Sequence, residues 1–169
     1  MKPIKITLKQ LTGFTKGKHV EKALRIQKLI EFVANNPTFH EKILNADFRD
    51  KRFVKENGEV LTIDNNQKIL DIILAGKEQF VTEDADAEWD LRITLYRSVT
   101  FEVGHRSKER IFTKKRKFKK FSDRYIASHW IHEYMHVLGF THDHDRTSRR
   151  PDSVPYLVGE IAEEILKSI

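Results

Sequence analysis

Apolar residues recur along the chain at two spacings, and each spacing predicts a different kind of element. Residues 4–8 alternate between apolar and polar side chains, which predicts a short strand. Within residues 19–35 the apolar positions recur every three or four residues, which predicts an amphipathic helix. Asn36 is expected to cap a second, short helix whose first residue is Pro37.

The central part of the chain predicts a hairpin followed by a third helix. Asn57-Gly58 lies between apolar pairs at 53–54 and 60–61, a pattern typical of a β-hairpin. Helical spacing of apolar residues returns over 65–75. These elements precede a second region of strand-like alternation.

That second region predicts a sheet. Residues 91–95 and 99–103 alternate, Gly104-His105 is expected to form a turn, and a returning strand is expected at the sheet edge, from Glu109 to Lys114. A long helix follows. The order of helices and strands predicts a mixed α/β (α+β) fold, with a small mixed sheet whose antiparallel edge strand packs on that helix.

An acidic segment precedes these strands. It contains Glu83, Asp84, Asp86, Glu88 and Asp90. Alternating carboxylates can bind calcium, but no glycine-centred ligand loop accompanies them, so a solvated loop is the preferred interpretation.

Composition narrows the class of protein. The chain has 169 residues and 20.0 kDa, which predicts one domain over residues 1–169. It contains no cysteine, which excludes disulfides, thiolate zinc sites and cysteine nucleophiles. Without an apolar run of membrane length or a signal-like N-terminus, a cytoplasmic protein with no membrane partner is expected.

The candidate chemistry lies between residues 132 and 142. His132 and His136 are four residues apart, so on a helix they share one face and can bind one zinc ion. Glu133 points about 100° away around the axis, where it can reach a water held on the metal. Gly139 allows a turn that brings His142 back as a third ligand. Three protein ligands leave a fourth position open, which is typical of catalytic zinc.

The alternative is a set of buried, hydrogen-bonded histidines in an ordinary helix. A bare HExxH pattern is weak support for a metal site, because it recurs by chance. The glycine and the third histidine at fixed spacing favour the metal site. The helix is expected to begin near Ser122 or Asp123, either of which can cap it.

Residues 132–142 match HExxHxxGxxH, and the chain thereby resembles the metzincin clan of zinc metallopeptidases. Asp143 resembles the HD ending of several metzincin families. The resemblance implies a minimal metzincin-like fold, and a peptide substrate that pairs antiparallel with an edge strand, here 109–114. It implies peptide-bond hydrolysis with Glu133 as general base and acid. The zinc ligands that it implies are His132, His136 and His142.

One feature of the clan is missing downstream of the third histidine. Metzincins have a methionine turn there, whereas this chain has only Met1 and Met135. The nearest analogue is the segment 151–156, which faintly resembles the corresponding turn of astacins. By that resemblance Tyr156 donates to the oxyanion during hydrolysis, and the alternative is a tyrosine that only anchors the turn.

Four residues near the motif also carry polar or ionisable side chains. His144 competes with His142 as a ligand, although the spacing from Gly139 favours His142. Asp143 and Asp145 either orient an imidazole or form surface charges. For His129, three residues before the first ligand, the alternatives are a place near the site and a place on the helix surface, and the surface is preferred.

The net charge of +6 is concentrated in one segment. Residues 105–121 contain nine Lys or Arg and one Glu, a charge of +8, so the rest of the chain sums to −2. The run 114–121 interleaves six cations with two phenylalanines. The preferred interpretation is a solvated loop, with both phenylalanines in the core. The functional alternatives are binding of an acidic protein substrate and binding of nucleic acid.

These observations favour a zinc metalloendopeptidase over two other hypotheses. Bacterial rRNA-maturation endoribonucleases share the HxxxHxxGxxH spacing, and the basic segment 114–121 suits RNA. They typically have glycine at the position of Glu133. A non-catalytic protein with a metal-stapled fold is the third hypothesis, against which the open fourth position and Glu133 argue.

Overall fold

A four-stranded mixed sheet and the helices that pack on it form the framework of the protein. The computed structural model describes residues 3–80, 88–98, 104–107 and 109–169. In chain order the elements are β1 (Ile6–Thr12), α1 (Gly17–Ala34), α2 (Pro37–Asn45), β2 (Arg52–Val54), β3 (Val60–Thr62), α3 (Asn66–Ala75), β4 (Trp89–Tyr96), β5 (Gly104–Ser107), β6 (Arg110–Lys114), α4 (Lys115–Lys120), α5 (Asp123–Val137) and α6 (Val154–Lys167).

The main sheet has the strand order β1-β4-β6-β5. β1, β4 and β6 are parallel, and β5 pairs antiparallel with β6 at the edge. β2 and β3 form a separate antiparallel pair. The predicted mixed α/β class, with an antiparallel edge strand, is therefore confirmed.

The prediction that 109–114 forms the sheet edge is wrong. β6 lies between β4 and β5, because Gly104–Ser107 forms a further strand instead of a turn at Gly104-His105. Alternation along one strand shows which side chains are buried but not which strand lies beside it. The strand predicted at 99–103 and the acidic residues 83–86 lie outside the described residues.

The predicted local elements are confirmed with small shifts at their ends. α1 covers the helix expected at 19–35, and the Asn36 side chain accepts from the Thr38 amide at 2.9 Å. Asn57-Gly58 turns the β2–β3 hairpin, where the Gly58 amide donates to the Lys55 carbonyl at 2.9 Å. α3 begins after the cap Asn65.

α5 is the central helix, packed against α1, α6 and the strands β5 and β6. It is buried on nearly every side, and Trp130 and Tyr134 on it are fully buried. The Trp130 indole donates to Thr113 Oγ1 at 3.0 Å, and the Tyr134 ring stacks on Trp89 at 4.7 Å. No helix in the described residues is long and apolar enough to cross a membrane.

Candidate metal centre

The first two candidate ligands lie on the C-terminal half of α5. The Ser122 hydroxyl accepts from the Tyr125 amide at 3.2 Å and caps the helix, as the sequence predicts. His132 and His136 follow on one helical face, with ring centroids 5.3 Å apart. Because α5 is fixed by core packing along its whole length, both imidazoles are held in place without a metal.

A glycine turn brings the third candidate ligand to the same place. Gly139 has φ +113°, a conformation that favours glycine. A Cβ at Gly139 would lie 2.8 Å from both Phe53 Cε2 and the Val54 carbonyl oxygen. The position therefore needs glycine both for its backbone angle and for its close neighbours. The chain then reverses and places His142 beside His136, with ring centroids 4.6 Å apart.

The three predicted ligands form one cluster. Their candidate ligand nitrogens, one from each of His132, His136 and His142, all lie within 4.8 Å of one another. Nε2 of His136 is 3.2 Å from Nε2 of His142. Two nitrogens bound to a tetrahedral zinc ion lie about 3.3 Å apart, so this pair fits a shared zinc ion. The cluster can hold a metal ion.

Main-chain carbonyls orient each of the three imidazoles. Nδ1 of His136 donates to the Phe140 carbonyl at 2.8 Å, and Nδ1 of His142 donates to the Asp143 carbonyl at 2.9 Å. His132 also bonds to the backbone at Pro155, which has no N–H and can only accept. Since a carbonyl cannot donate, Nδ1 carries the proton in His136 and His142. Their two Nε2 lone pairs then face each other, an arrangement that a cation stabilises.

Burial favours the neutral, metal-binding form of His132 and His142. It lowers the pKa of His132 to about 3, and the positive charge that His129 and His142 would carry opposes protonation further. Burial also lowers the pKa of His142. Protons therefore compete weakly with a metal near neutral pH.

Glu133 lies beside the largely buried imidazole of His129. His129 was expected on the helix surface, but it is largely buried and its Nδ1 lies 3.7 Å from Glu133 Oε1. Nε2 of His129 is buried with no hydrogen-bond partner among the described residues. Burial lowers the pKa of His129 to about 4. The four-residue spacing between the two residues was the available signal, because it places them on one face of a helix.

Tyr156 packs against the cluster from the start of α6. Its ring centroid lies 4.7 Å from that of His132 and 5.0 Å from that of His142. The guanidinium of Arg150 covers the same ring at 5.3 Å. Gly159, one turn further along α6, allows this approach, since a Cβ there would lie 3.1 Å from His132 Cβ. Sequence reasoning did not single out Gly159.

The backbone carbonyl of Asp143 orients the imidazole of His142. Its carbonyl accepts from His142, whereas its carboxylate accepts from the Arg52 guanidinium at 2.6 Å and the Thr147 hydroxyl at 2.6 Å. Arg52 also pairs with Asp50. The bonds from Thr147 and Arg52 lower the pKa of Asp143 to about 2. The carboxylate is thus ionised and fixes the loop, a third role beside the two predicted for it.

His144 and Asp145 lie outside the cluster. Both are exposed, and the described contacts of His144 and Asp145 run through their carbonyls to Arg150 and Thr147. The spacing argument that favoured His142 over His144 agrees with this arrangement.

Strand β2 and the residues before it pair with the turn that carries His142 and with the start of α6. The Val54 amide donates to the Gly139 carbonyl at 2.8 Å, and the Thr141 amide donates to the Arg52 carbonyl at 3.1 Å. The Val154 amide donates to the Asp50 carbonyl at 3.2 Å. The outer edge of β2 therefore fixes both the His142 turn and the start of α6. The hairpin pattern predicted β2 but gave no sign of this pairing.

The basic run is a helix, so its interpretation as a loop is wrong. α4 contains most of the run, and Phe118 on it is fully buried and stacked on Trp130 with centroids 6.0 Å apart. Phe121 is half-buried, which agrees with the expectation that both rings contact the core. α4 immediately precedes the N-terminus of α5, whereas the histidines lie near its C-terminus.

Comparisons with known proteins identify no relative of this chain. No protein-family profile, no curated protein and no solved structure matches this chain. The resemblance to metzincins thus depends on the motif at residues 132–143 and the faint likeness at 151–156.

Proposed function

We propose that the protein is a zinc-dependent metalloendopeptidase. The observation that carries the proposal is the convergence of His132, His136 and His142 around one point, with Glu133 on the same helix beside them. The HExxHxxGxxH spacing of residues 132–142, on which the resemblance to metzincins depends, predicts this convergence.

Zinc is the proposed metal because of the donor set. Three neutral imidazoles suit zinc, whereas calcium and magnesium require oxygen ligands. Three protein ligands leave a position open for water or substrate, as in catalytic zinc sites. When bound there, zinc would activate a water and polarise the scissile carbonyl.

Glu133 is the proposed general base and acid. Its carboxylate is largely buried, so its interactions are weakly screened by solvent. It would accept a proton from the attacking water and then deliver that proton to the leaving amine. His129 Nδ1, at 3.7 Å from Glu133 Oε1, packs beside the carboxylate on the same helix.

The peptide is proposed to bind along β5. The edge first expected at 109–114 is internal, and β5 is the strand at that end of the described sheet. An extended peptide can pair with such an edge through main-chain hydrogen bonds. α5 packs against β5, so a peptide bound there would run near the helix that carries Glu133.

Metal content and turnover together test the proposal. We expect about one zinc per chain in the purified protein and a loss of that zinc in His136→Ala. Glu133→Gln should retain zinc and lose at least about a hundredfold in kcat on a peptide substrate, as expected for a lost general base. Glu160→Gln, the same change at an exposed position of α6, is the matched control and should keep full activity. Absence of zinc after reconstitution, or full activity in Glu133→Gln, would contradict the proposal.

Tyr156 has a separate test, because its hydroxyl is proposed to donate to the oxyanion. Tyr156→Phe keeps the ring that packs on His132 and His142 and removes only the hydroxyl. A donor acting in the transition state predicts a fall in kcat of about 10- to 1000-fold with little change in KM. An unchanged kcat would show that the tyrosine only anchors the turn.

RNA cleavage is a second candidate, which the cations of α4 favour. The same three histidines would hold zinc in an endoribonuclease. Incubating a labelled RNA with the wild type and with Glu133→Gln distinguishes the two functions. Zinc-dependent cleavage of RNA, without hydrolysis of any peptide in a diverse library, would replace the peptidase proposal.

A further inference from the structure

A basic surface lies on α4 and its neighbours, at the end of α5 opposite the histidines. Five cations line a depression of about 380 Å³: Arg97, Lys115, Arg116, Lys119 and Lys120. Burial lowers the pKa of His19 at the start of α1. The positive charges of four nearby lysines lower it further: Lys115, Lys119, Lys18 and Lys16. We call the five lining residues the basic surface.

The charge of the basic surface is not neutralised within the described part of the chain. None of its five side chains forms an ion pair with a described carboxylate. Lys115 Nζ bonds only to neutral oxygens, the Gly13 carbonyl and the Thr15 hydroxyl, each at 3.2 Å. The carboxylate nearest in sequence, Asp123, is held by Arg25 at 2.7 Å. Clustered unpaired cations repel one another, and an anionic partner would remove that repulsion.

We propose that the basic surface binds the phosphate backbone of a nucleic acid. Arg97 and Arg116 can each make paired hydrogen bonds with a phosphate. On α4, Lys115 and Lys119 are four residues apart, as are Arg116 and Lys120, so the cations form two adjacent rows on one helical face. A polyanion lying across the depression would contact both rows.

The character of the lining favours nucleic acid over an acidic polypeptide. Protein partners usually anchor aromatic or aliphatic side chains in pockets lined by apolar residues, whereas every residue that lines this depression is Lys or Arg. Phe118 is buried against Trp130 and offers no exposed ring. Binding to phosphates requires no such anchor, because charge contacts alone drive sequence-independent binding.

The basic surface is separate from the metal centre. α5 rises about 1.5 Å per residue, so His132 lies about 14 Å along the axis from Asp123, where α4 has just ended. A nucleic acid bound on α4 would reach the metal centre only by extending about 14 Å further along α5, so binding on α4 does not itself require that centre. The inference does not depend on the proposed function, and Glu133→Gln should bind nucleic acid as tightly as the wild type.

Salt-dependent binding to labelled nucleic acid tests the inference. The probe is a fluorescent DNA duplex of about 20 base pairs, followed by anisotropy between about 50 and 200 mM salt. The test variant is Arg116→Gln/Lys119→Gln/Lys120→Gln, which changes three exposed cations. Its affinity should fall at least about tenfold, and the slope of log K against log salt should become shallower by about 3.

A matched triple variant controls for net charge. Arg49→Gln/Lys68→Gln/Lys167→Gln also removes one arginine and two lysines from exposed positions, and both triple variants carry +3 instead of +6. It should bind nearly as the wild type does. An equal loss in both variants would overturn the inference, as would the absence of binding at the lowest salt. Displacement of DNA by polyglutamate at equal charge concentration would assign the surface to an acidic polypeptide instead.

Discussion

At the scale of single residues, the site combines three imidazoles and a carboxylate with a fourth, buried imidazole. His129 lies three residues before the first ligand on α5, and its Nδ1 is 3.7 Å from Glu133 Oε1. Burial lowers its pKa to about 4, so it remains neutral at physiological pH. At 3.7 Å the neutral imidazole packs beside the carboxylate, beyond hydrogen-bond distance, and adds no positive charge next to it.

The buried histidines make the metal-free protein sensitive to acid. The unfolded chain binds a proton at each histidine near pH 6.5, whereas folded His129 binds one only near pH 4. Stability is therefore complete above about pH 6.5 and falls as the pH drops toward 4, by up to about 1.4 kcal/mol per pH unit for each such group. Denaturant unfolding in the presence of a chelator should show a shallower pH dependence for His129→Asn. Equal slopes for variant and wild type would contradict this assignment.

The ligand set was predictable because each ligand depends on local spacing. His132 and His136 share a helical face by geometry alone, and Gly139 marks the reversal before His142. The carbonyls that orient the rings were not predictable, since every residue has one. Only a faint resemblance suggested that Tyr156 lies near the ligands. Its position depends on the close approach of α6 to α5 at Gly159, which the local sequence does not show.

At the scale of elements, the turn after α5 is confined by strand β2. Gly139 packs its backbone against Phe53 and Val54, and the main chain of the turn pairs with β2. The position of His142 therefore depends on an element that is almost ninety residues away in sequence. A hydrophobic pattern within β2 shows its hairpin partner, β3, but not this second pairing.

Two alanine substitutions separate backbone strain from crowding. Gly58 and Gly139 both have positive φ, but a Cβ at Gly58 meets no atom within 4 Å. Gly58→Ala should lower the free energy of unfolding by about 1 kcal/mol from strain alone. Gly139→Ala adds overpacking and should cost about 2–5 kcal/mol, with weaker zinc binding. Chemical denaturation and zinc titration of both variants measure the difference, and similar losses would refute the role given to crowding.

The elements themselves were more predictable than their arrangement. The helices α1, α2 and α3 and the β2–β3 hairpin follow from apolar spacing, caps and turn residues. The placement of β6 inside the sheet did not follow, because its alternating burial fits either an edge or an internal strand. Helix α4 was missed because its charged residues mask the single buried contact, Phe118.

At the scale of the whole molecule, a metal in the cluster would join α5 to the loop that follows it, beside the start of α6. Two ligands lie on α5, the third lies on the following loop, and Tyr156 at the start of α6 packs on both regions. The loop between them contains Arg146 and Arg149, both exposed. Its anchors are β2, the Asp143 carboxylate and, when bound, the metal.

Removal of the metal should therefore loosen this loop before the core unfolds. A metal at about 100 times its Kd stabilises the folded state by about 2.7 kcal/mol, so the melting temperature should fall on chelation. Limited trypsin digestion should accelerate at Arg146 and Arg149 when a chelator is added, and zinc should reverse the effect. In His136→Ala, chelation should change neither quantity; a chelator effect of wild-type size there would refute the link.

The carbonyl acceptors behind the imidazoles also determine the electronic character of the centre. A carboxylate behind a ligand histidine gives the imidazole anionic character and reduces the Lewis acidity of the metal. In His136 and His142 the acceptors are neutral, so a bound dication would keep more of its electron-withdrawing strength. Because these acceptors belong to the backbone, the path of the main chain at 140 and 143, and not a side-chain functional group, determines the ligand field.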